Sequence, residues 1–184
     1  MRGFLFTELV EFVEGAHGLE LTDRWLDSCQ LESGGAFVAT DSYPMSELGE
    51  LVTRLSETLD APLPDLLRAF GEHLFGYLAS RHGHVMERID DPLQLFENLE
   101  NHVHVEVRKL YPDAEVPRFQ SERLGEDEMR LVYESSRGLA DLAHGLILGA
   151  GRHFDCEIDI ARRDLSEGAG TQVEFLLSLG DVSG

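Results

Sequence analysis

The chain has 184 residues and carries 35 Asp and Glu against 15 Lys and Arg, a formal charge of -20 at pH 7. That negative field argues against nucleic acid or an anionic membrane surface as partner, while the length and apolar content suit one domain over residues 1–184 with a real core. Cys29 and Cys156 are far apart and lie in no C-x-x-C pattern, which excludes a disulfide framework or a four-thiolate zinc site and suits a reducing cytoplasm.

Phe4, Leu5, Leu9 and Phe12 recur at helical spacing and predict a first helix ended by Gly15 and Gly18. Glu8, Glu11 and Glu14 interrupt the run before a signal-peptide core or a membrane span is complete, and no later run approaches the roughly 20 apolar residues that a span needs. A short helix is expected from Thr22 to Cys29, then an extended piece over Ala36 to Thr40. Ser46 is placed to cap a helix whose stripe is Leu48, Leu51, Val52, Leu55 and Leu59, closed by Pro62 and Pro64. After Asp65, Leu66, Leu67, Phe70, Leu74, Phe75 and Leu78 surround a helix that belongs at the centre of the fold. Gly71 inside it costs about 1 kcal/mol relative to alanine, which asks for a reason such as close packing or a pivot.

Asp91 as cap and Pro92 in the first turn start the helix that carries His102 and His104 and stops at Tyr111-Pro112. Beyond Pro117, Arg118 to Leu124 and Met129 to Arg137 flank the turn Gly125-Glu126-Asp127 and predict a hairpin. A helix from Gly138 to His153 follows, then strands at 157–160 and 173–177 around the loop 166–171. The order predicts an α+β fold, N-terminal helices followed by a four-stranded antiparallel sheet with a packed helix.

Two features carry chemistry. A period of two along a strand puts Tyr133, Ser135 and Arg137 on one face, a row suited to gripping carboxylates, although a solvated strand face reads the same way. His102 and His104 do not share a helix face, so they are not a joint metal site. Each is open to three readings, core filler, metal ligand or axial ligand of a haem, and periodicity does not choose between them.

Taken together, these residues resemble the H-NOX family, the haem nitric oxide/oxygen binding domains related to the sensor domain of soluble guanylate cyclase. The likeness rests on Met-Arg-Gly at the start, His104-V-E-V-R-K-L-Tyr111-Pro112 with Pro117 and Phe119 beyond, and Tyr133-E-Ser135-S-Arg137 ahead of a Gly-containing helix. The resemblance implies a haem between the helical and sheet-bearing parts, with His104 rather than His102 as its proximal ligand. It further implies that Tyr133, Ser135 and Arg137 hold the propionates and that Pro117 presses on the macrocycle. Gly71 and Gly145 correspond to the family's pivot glycines.

On the distal side the resemblance implies a lining of Leu5, Leu9, Leu74, Leu78, Leu142 and Leu146. Members that bind oxygen stably carry a tyrosine five residues after the motif arginine, where this chain has Leu142. Nitric oxide and carbon monoxide bind ferrous haem without a distal donor, so the expectation is a nitric oxide sensor and not an enzyme. By the same likeness its output acts in trans, on a histidine kinase or a cyclic-dinucleotide enzyme. The region 164–175 lacks the cysteines and histidine with which some relatives bind zinc, and no zinc is expected. A haem enzyme acting on nitric oxide or peroxide, and a haem-free interaction module, are the competing readings.

Overall fold

Local backbone chemistry decides where the helices begin and end. In a computed structural model that describes residues 1–105, 109 and 116–180, Gly18, at φ 81°, separates α1 (Gly3–His17) from α2 (Leu19–Ser28). The helix α3 (Met45–Leu59) has Pro44 at its N-cap and no side-chain cap, so Ser46 lies inside the first turn instead of capping it. Asp60, in the left-handed conformation at φ 50°, ends α3. The prolines expected to close that helix begin the next one: Pro62 is the N-cap of α4 (Leu63–Arg81) and Pro64 stands in its first turn. The reason is that a fixed φ and a missing N–H cost nothing where the helix has no partner for that N–H.

A short α5 (Gly83–Met86) leads to α6 (Pro92–Asn98), which Asp91 caps by accepting a 2.8 Å bond from the Gln94 N–H, as expected. The helix does not run on unbroken toward His104. Residues Leu99–Val103 form a π-helical turn, in which the His104 N–H donates to the Leu99 carbonyl. The Tyr111-Pro112 ending lies outside the described residues, as does the His102 side chain.

The sheet contains β1 (Arg118–Arg123), β2 (Glu128–Glu134), β3 (Glu157–Asp164) and β4 (Gln172–Gly180), in the order β1-β2-β4-β3 with every pair antiparallel. The expected hairpin closes where the Leu124 N–H donates to the Glu128 carbonyl at 2.9 Å. Between β2 and β3 runs α7 (Ala140–His153). The class is therefore α+β. Residues 36–40 form no strand; Arg2 and Ser42 make an isolated bridge nearby, and Phe37 packs on Phe6 at 4.9 Å between ring centroids.

Two cores result. The helical core gathers Phe6, Leu9, Trp25, Leu51, Phe70 and Leu74 with Leu142, and the sheet core gathers Leu93, Phe96, Leu131, Tyr133, Val173 and Phe175. They meet where α4 lies against α7. A Cβ on Gly71 would collide with the Leu142 carbonyl oxygen, and one on Gly145 with the Arg68 carbonyl. Gly71 thus pays for its low helix propensity by letting two backbones touch. No described helix is long and apolar enough to cross a membrane.

Candidate haem site

The π-turn sets the position of His104. One extra residue in the turn changes the register relative to α6, and Glu100, at the helical pairing distance of four residues, lies against the ring: Glu100 Oε1 is 2.8 Å from His104 Nδ1. The same oxygen accepts the Phe119 N–H at 3.0 Å, tying the turn to β1. An ionised carboxylate only accepts, so Nδ1 carries the proton and Nε2 is the nitrogen with donor character toward a metal. His104 is buried, at 9 % exposure, and its ring lies 5.9 Å from that of Phe119, which in turn meets Tyr133 edge-on at 5.6 Å.

Tyr133, the last residue but one of β2, has its ring in the sheet core, and its hydroxyl accepts the Leu139 N–H at 3.1 Å. Burial pushes the phenol's pKa up, against the smaller opposing effect of hydrogen bonds to Ser135 and Leu139. The flat row expected of Tyr133, Ser135 and Arg137 does not form, because β2 ends at Glu134. The Ser135 hydroxyl accepts the N–H of Arg137 at 3.2 Å, a local bond that accompanies the turn just after the last cross-strand bond, from the Ser135 N–H to the Thr171 carbonyl at 2.8 Å. Gly138 follows at φ 63°. The three side chains therefore stand around a corner, with the Arg137 guanidinium against the Met1 sulfur. A cleft of about 320 Å³ opens at this corner, lined by Val116, Arg118, Glu134, Ser135, Ser136 and Arg137. Arg118, beside Arg137 there, was not anticipated from the sequence.

The six leucines do come together. Leu9, Leu74 and Leu142 are buried in the helical core, Leu5, Leu78 and Leu146 are half-buried against it, and Leu146 also borders the sheet core. The polar edges of that core are engaged with backbone: Trp25 Nε1 donates to the Leu51 carbonyl at 3.0 Å, and the Tyr43 hydroxyl accepts the Val38 N–H at 2.8 Å. Tyr77 stacks on Phe4 with Arg81 above its ring. Pro117 is half-buried just ahead of β1, two residues before Phe119. The histidine and the leucines thus belong to different cores, His104 beside Phe119 of the sheet core and the leucines in the helical one.

This division suits a flat, amphipathic cofactor. A buried imidazole with one nitrogen fixed by a carboxylate offers an axial donor, the corner with two arginines suits acidic substituents, and the leucines offer an apolar face. The donor set fits haem. The class defined by fold and site is a haem-binding α+β domain.

The comparisons make that class specific. A haem-NO-binding family profile matches residues 2–162. The unliganded Fe(II) H-NOX protein of K. algicida superposes with a TM-score of 0.92 at 33% identity, over 98% of this chain and 97% of that one. An H-NOX protein of S. oneidensis in the Fe(II)NO state gives 0.89 at 30% identity, over 98% and 100%. The H-NOX of Shewanella woodyi in the Fe(II)CO state, bound to IWP-051, gives 0.84 at 36% identity, over 100% and 97%. A comparison with curated proteins finds no match. The chain belongs to the haem-NO-binding (H-NOX) family, a family of haem-based sensors of nitric oxide, carbon monoxide and oxygen whose cofactor is haem.

Glu100 escaped the sequence reading, although its place four residues before His104 is a helical pairing distance that a search around the histidine finds.

Proposed function

We propose that this chain is a sensor that binds nitric oxide and carbon monoxide at ferrous haem and forms no stable complex with oxygen. His104 supplies the proximal nitrogen through Nε2. Tyr133, Ser135 and Arg137 take the propionates at the corner beyond β2, and Pro117 lies against the macrocycle. Leu5, Leu9, Leu74, Leu78, Leu142 and Leu146 cover the distal face. The haem, when bound, supplies the iron at which the gas binds.

The observation that carries the selectivity is Leu142, buried at 7 % exposure in one core with Leu9 and Leu74. A polarised ligand such as oxygen needs a donor beside it, and the Trp25 Nε1–H goes to the Leu51 carbonyl while the Tyr43 hydroxyl donates to the Ala36 carbonyl. Gly71 and Gly145 serve as the pivot at which the sheet-bearing part shifts against the helical part, and that shift is read by a partner in trans, a histidine kinase or a cyclic-dinucleotide enzyme. The net charge of -20 favours a partner with a basic face.

Absorption spectra of the purified, haem-reconstituted protein test the proposal. Nitric oxide and carbon monoxide should each shift the ferrous spectrum, and exposure to air should give no stable oxy spectrum. A persistent oxy spectrum overturns the selectivity, and failure to take up haem stoichiometrically overturns the whole reading.

A further inference from the structure

We propose that Glu100 is the positioning residue of the proximal histidine and couples it to β1. The inference rests on the reading of His104 as the haem ligand. One carboxylate oxygen meets two donors on different elements: His104 Nδ1 at 2.8 Å on the helix and the Phe119 N–H at 3.0 Å at the second residue of β1. Glu100 and His104 stand at a helical pairing distance of four residues, and the π-turn between α6 and His104 sets the direction in which that pair faces β1. The histidine side chain is 11% exposed and the glutamate 28%, so water competes weakly for the bond. The other end of the same strand is held independently by Arg123, whose Nε bonds Glu97 of α6 at 3.0 Å.

Two consequences follow from the chemistry. A carboxylate on Nδ1–H fixes the tautomer and ring orientation and raises the basicity of Nε2, which strengthens the axial bond more than a neutral acceptor does. The shared oxygen also links the His104 ring to the edge of β1, since a shift of the carboxylate that follows the ring is felt at the Phe119 amide. Glu100 therefore sets both how tightly the iron is held and where its release is felt.

The variants Glu100→Gln and Glu100→Leu separate these roles in the haem-loaded protein. Three readouts apply: haem affinity, the iron–histidine stretching frequency of the ferrous form by resonance Raman, and hydrogen exchange at the Phe119 amide. Glu100→Leu should lose about 10–100-fold in haem affinity, lower the stretching frequency and expose the Phe119 amide to exchange. Glu100→Gln keeps an acceptor oxygen without the charge, so it should restore amide protection while the frequency stays low; it also serves where Glu100→Leu does not fold. A stretching frequency unmoved in Glu100→Gln overturns the inference. If the wild type shows no iron–histidine stretch, or a His104→Gly variant binds haem with an unchanged spectrum, the ligand assignment itself fails and takes this inference with it.

Discussion

The two cores hold themselves together in different ways. The helical core is a packing of leucine and aromatic side chains whose few polar edges bond to nearby backbone. At the rim of the sheet core, position is set by a directed chain instead: Glu100 on His104 and Phe119, Phe119 on Tyr133, Tyr133 on the Leu139 amide. Packing energy is non-directional and tolerates small shifts of shape, whereas hydrogen bonds fix angle and distance. The molecule thus places a permissive apolar surface on one side and a precise donor on the other, joined by helices whose backbones touch at Gly71 and Gly145.

The strongest way to break this arrangement is at the junction. Gly145→Ala drives a Cβ into the Arg68 carbonyl, which is backbone and yields poorly, and should cost about 1–3 kcal/mol in thermal or denaturant unfolding. Gly76→Ala, on the facing helix α4 but with open space around its Cβ position, should instead stabilise by about 0.5–1 kcal/mol. Equal effects at the two sites would mean that the α4–α7 contact is looser than described.

Leu142→Tyr would import a directed bond into the permissive side. A phenol there should lengthen the life of an oxygen complex about tenfold, the equivalent of one hydrogen bond of about 1.4 kcal/mol, measured as the autoxidation or dissociation rate of the ferrous protein in air. Conversely, Tyr133→Phe removes a link from the precise side. The Leu139 N–H loses its acceptor, and unfolding should show a loss of about 1 kcal/mol.

The smallest effect concerns Glu8, a buried carboxylate in α1 whose pKa is raised, chiefly by burial and then by Glu11, with His73 opposing. A folded-state pKa above the unfolded one means that the folded state holds the proton more firmly. The resulting stability is present at low pH and is lost as pH rises through the folded value. Glu8→Gln should escape that loss, so the variant's unfolding midpoint should gain on the wild type as pH rises above the ordinary glutamate range; a constant difference would place the Glu8 carboxylate in a more polar setting.

Much of this architecture is legible residue by residue. Asp91-Pro92 announces a helix start because both residues serve the first turn, and the leucines of α1 and α4 announce buried helix faces by their spacing, whereas their meeting with those of α7 is implied only by the family resemblance. The rest depends on contacts that no local rule contains. Nothing in LENHV signals a π-turn, since the same residues suit an α-helix. Ser135 reads as strand by alternation and its amide still bonds the Thr171 carbonyl at 2.8 Å, but the turn at residues 136–137, with the Arg137 N–H on the Ser135 hydroxyl, ends β2 at Glu134. Ser46 is a good capping residue by type, yet Pro44 takes the cap because of where the preceding chain enters.

The π-turn also bears on how such a chain tolerates change in length. In an α-helix each residue turns the next by about 100°, so a one-residue deletion between Asp91 and His104 would swing the imidazole away from Phe119 instead of merely shortening a helix. An insertion would do the same in the opposite sense. The loop 166–171 is held by local bonds instead, the Ser166 Oγ accepting the Thr171 N–H at 3.0 Å and Asp164 accepting the Gly170 N–H at 3.2 Å, and it carries no such ligand whose direction its length would set. The segment from cap to ligand is therefore a ruler whose length is part of the site, and sequences that share this histidine geometry should vary in letters there long before they vary in count.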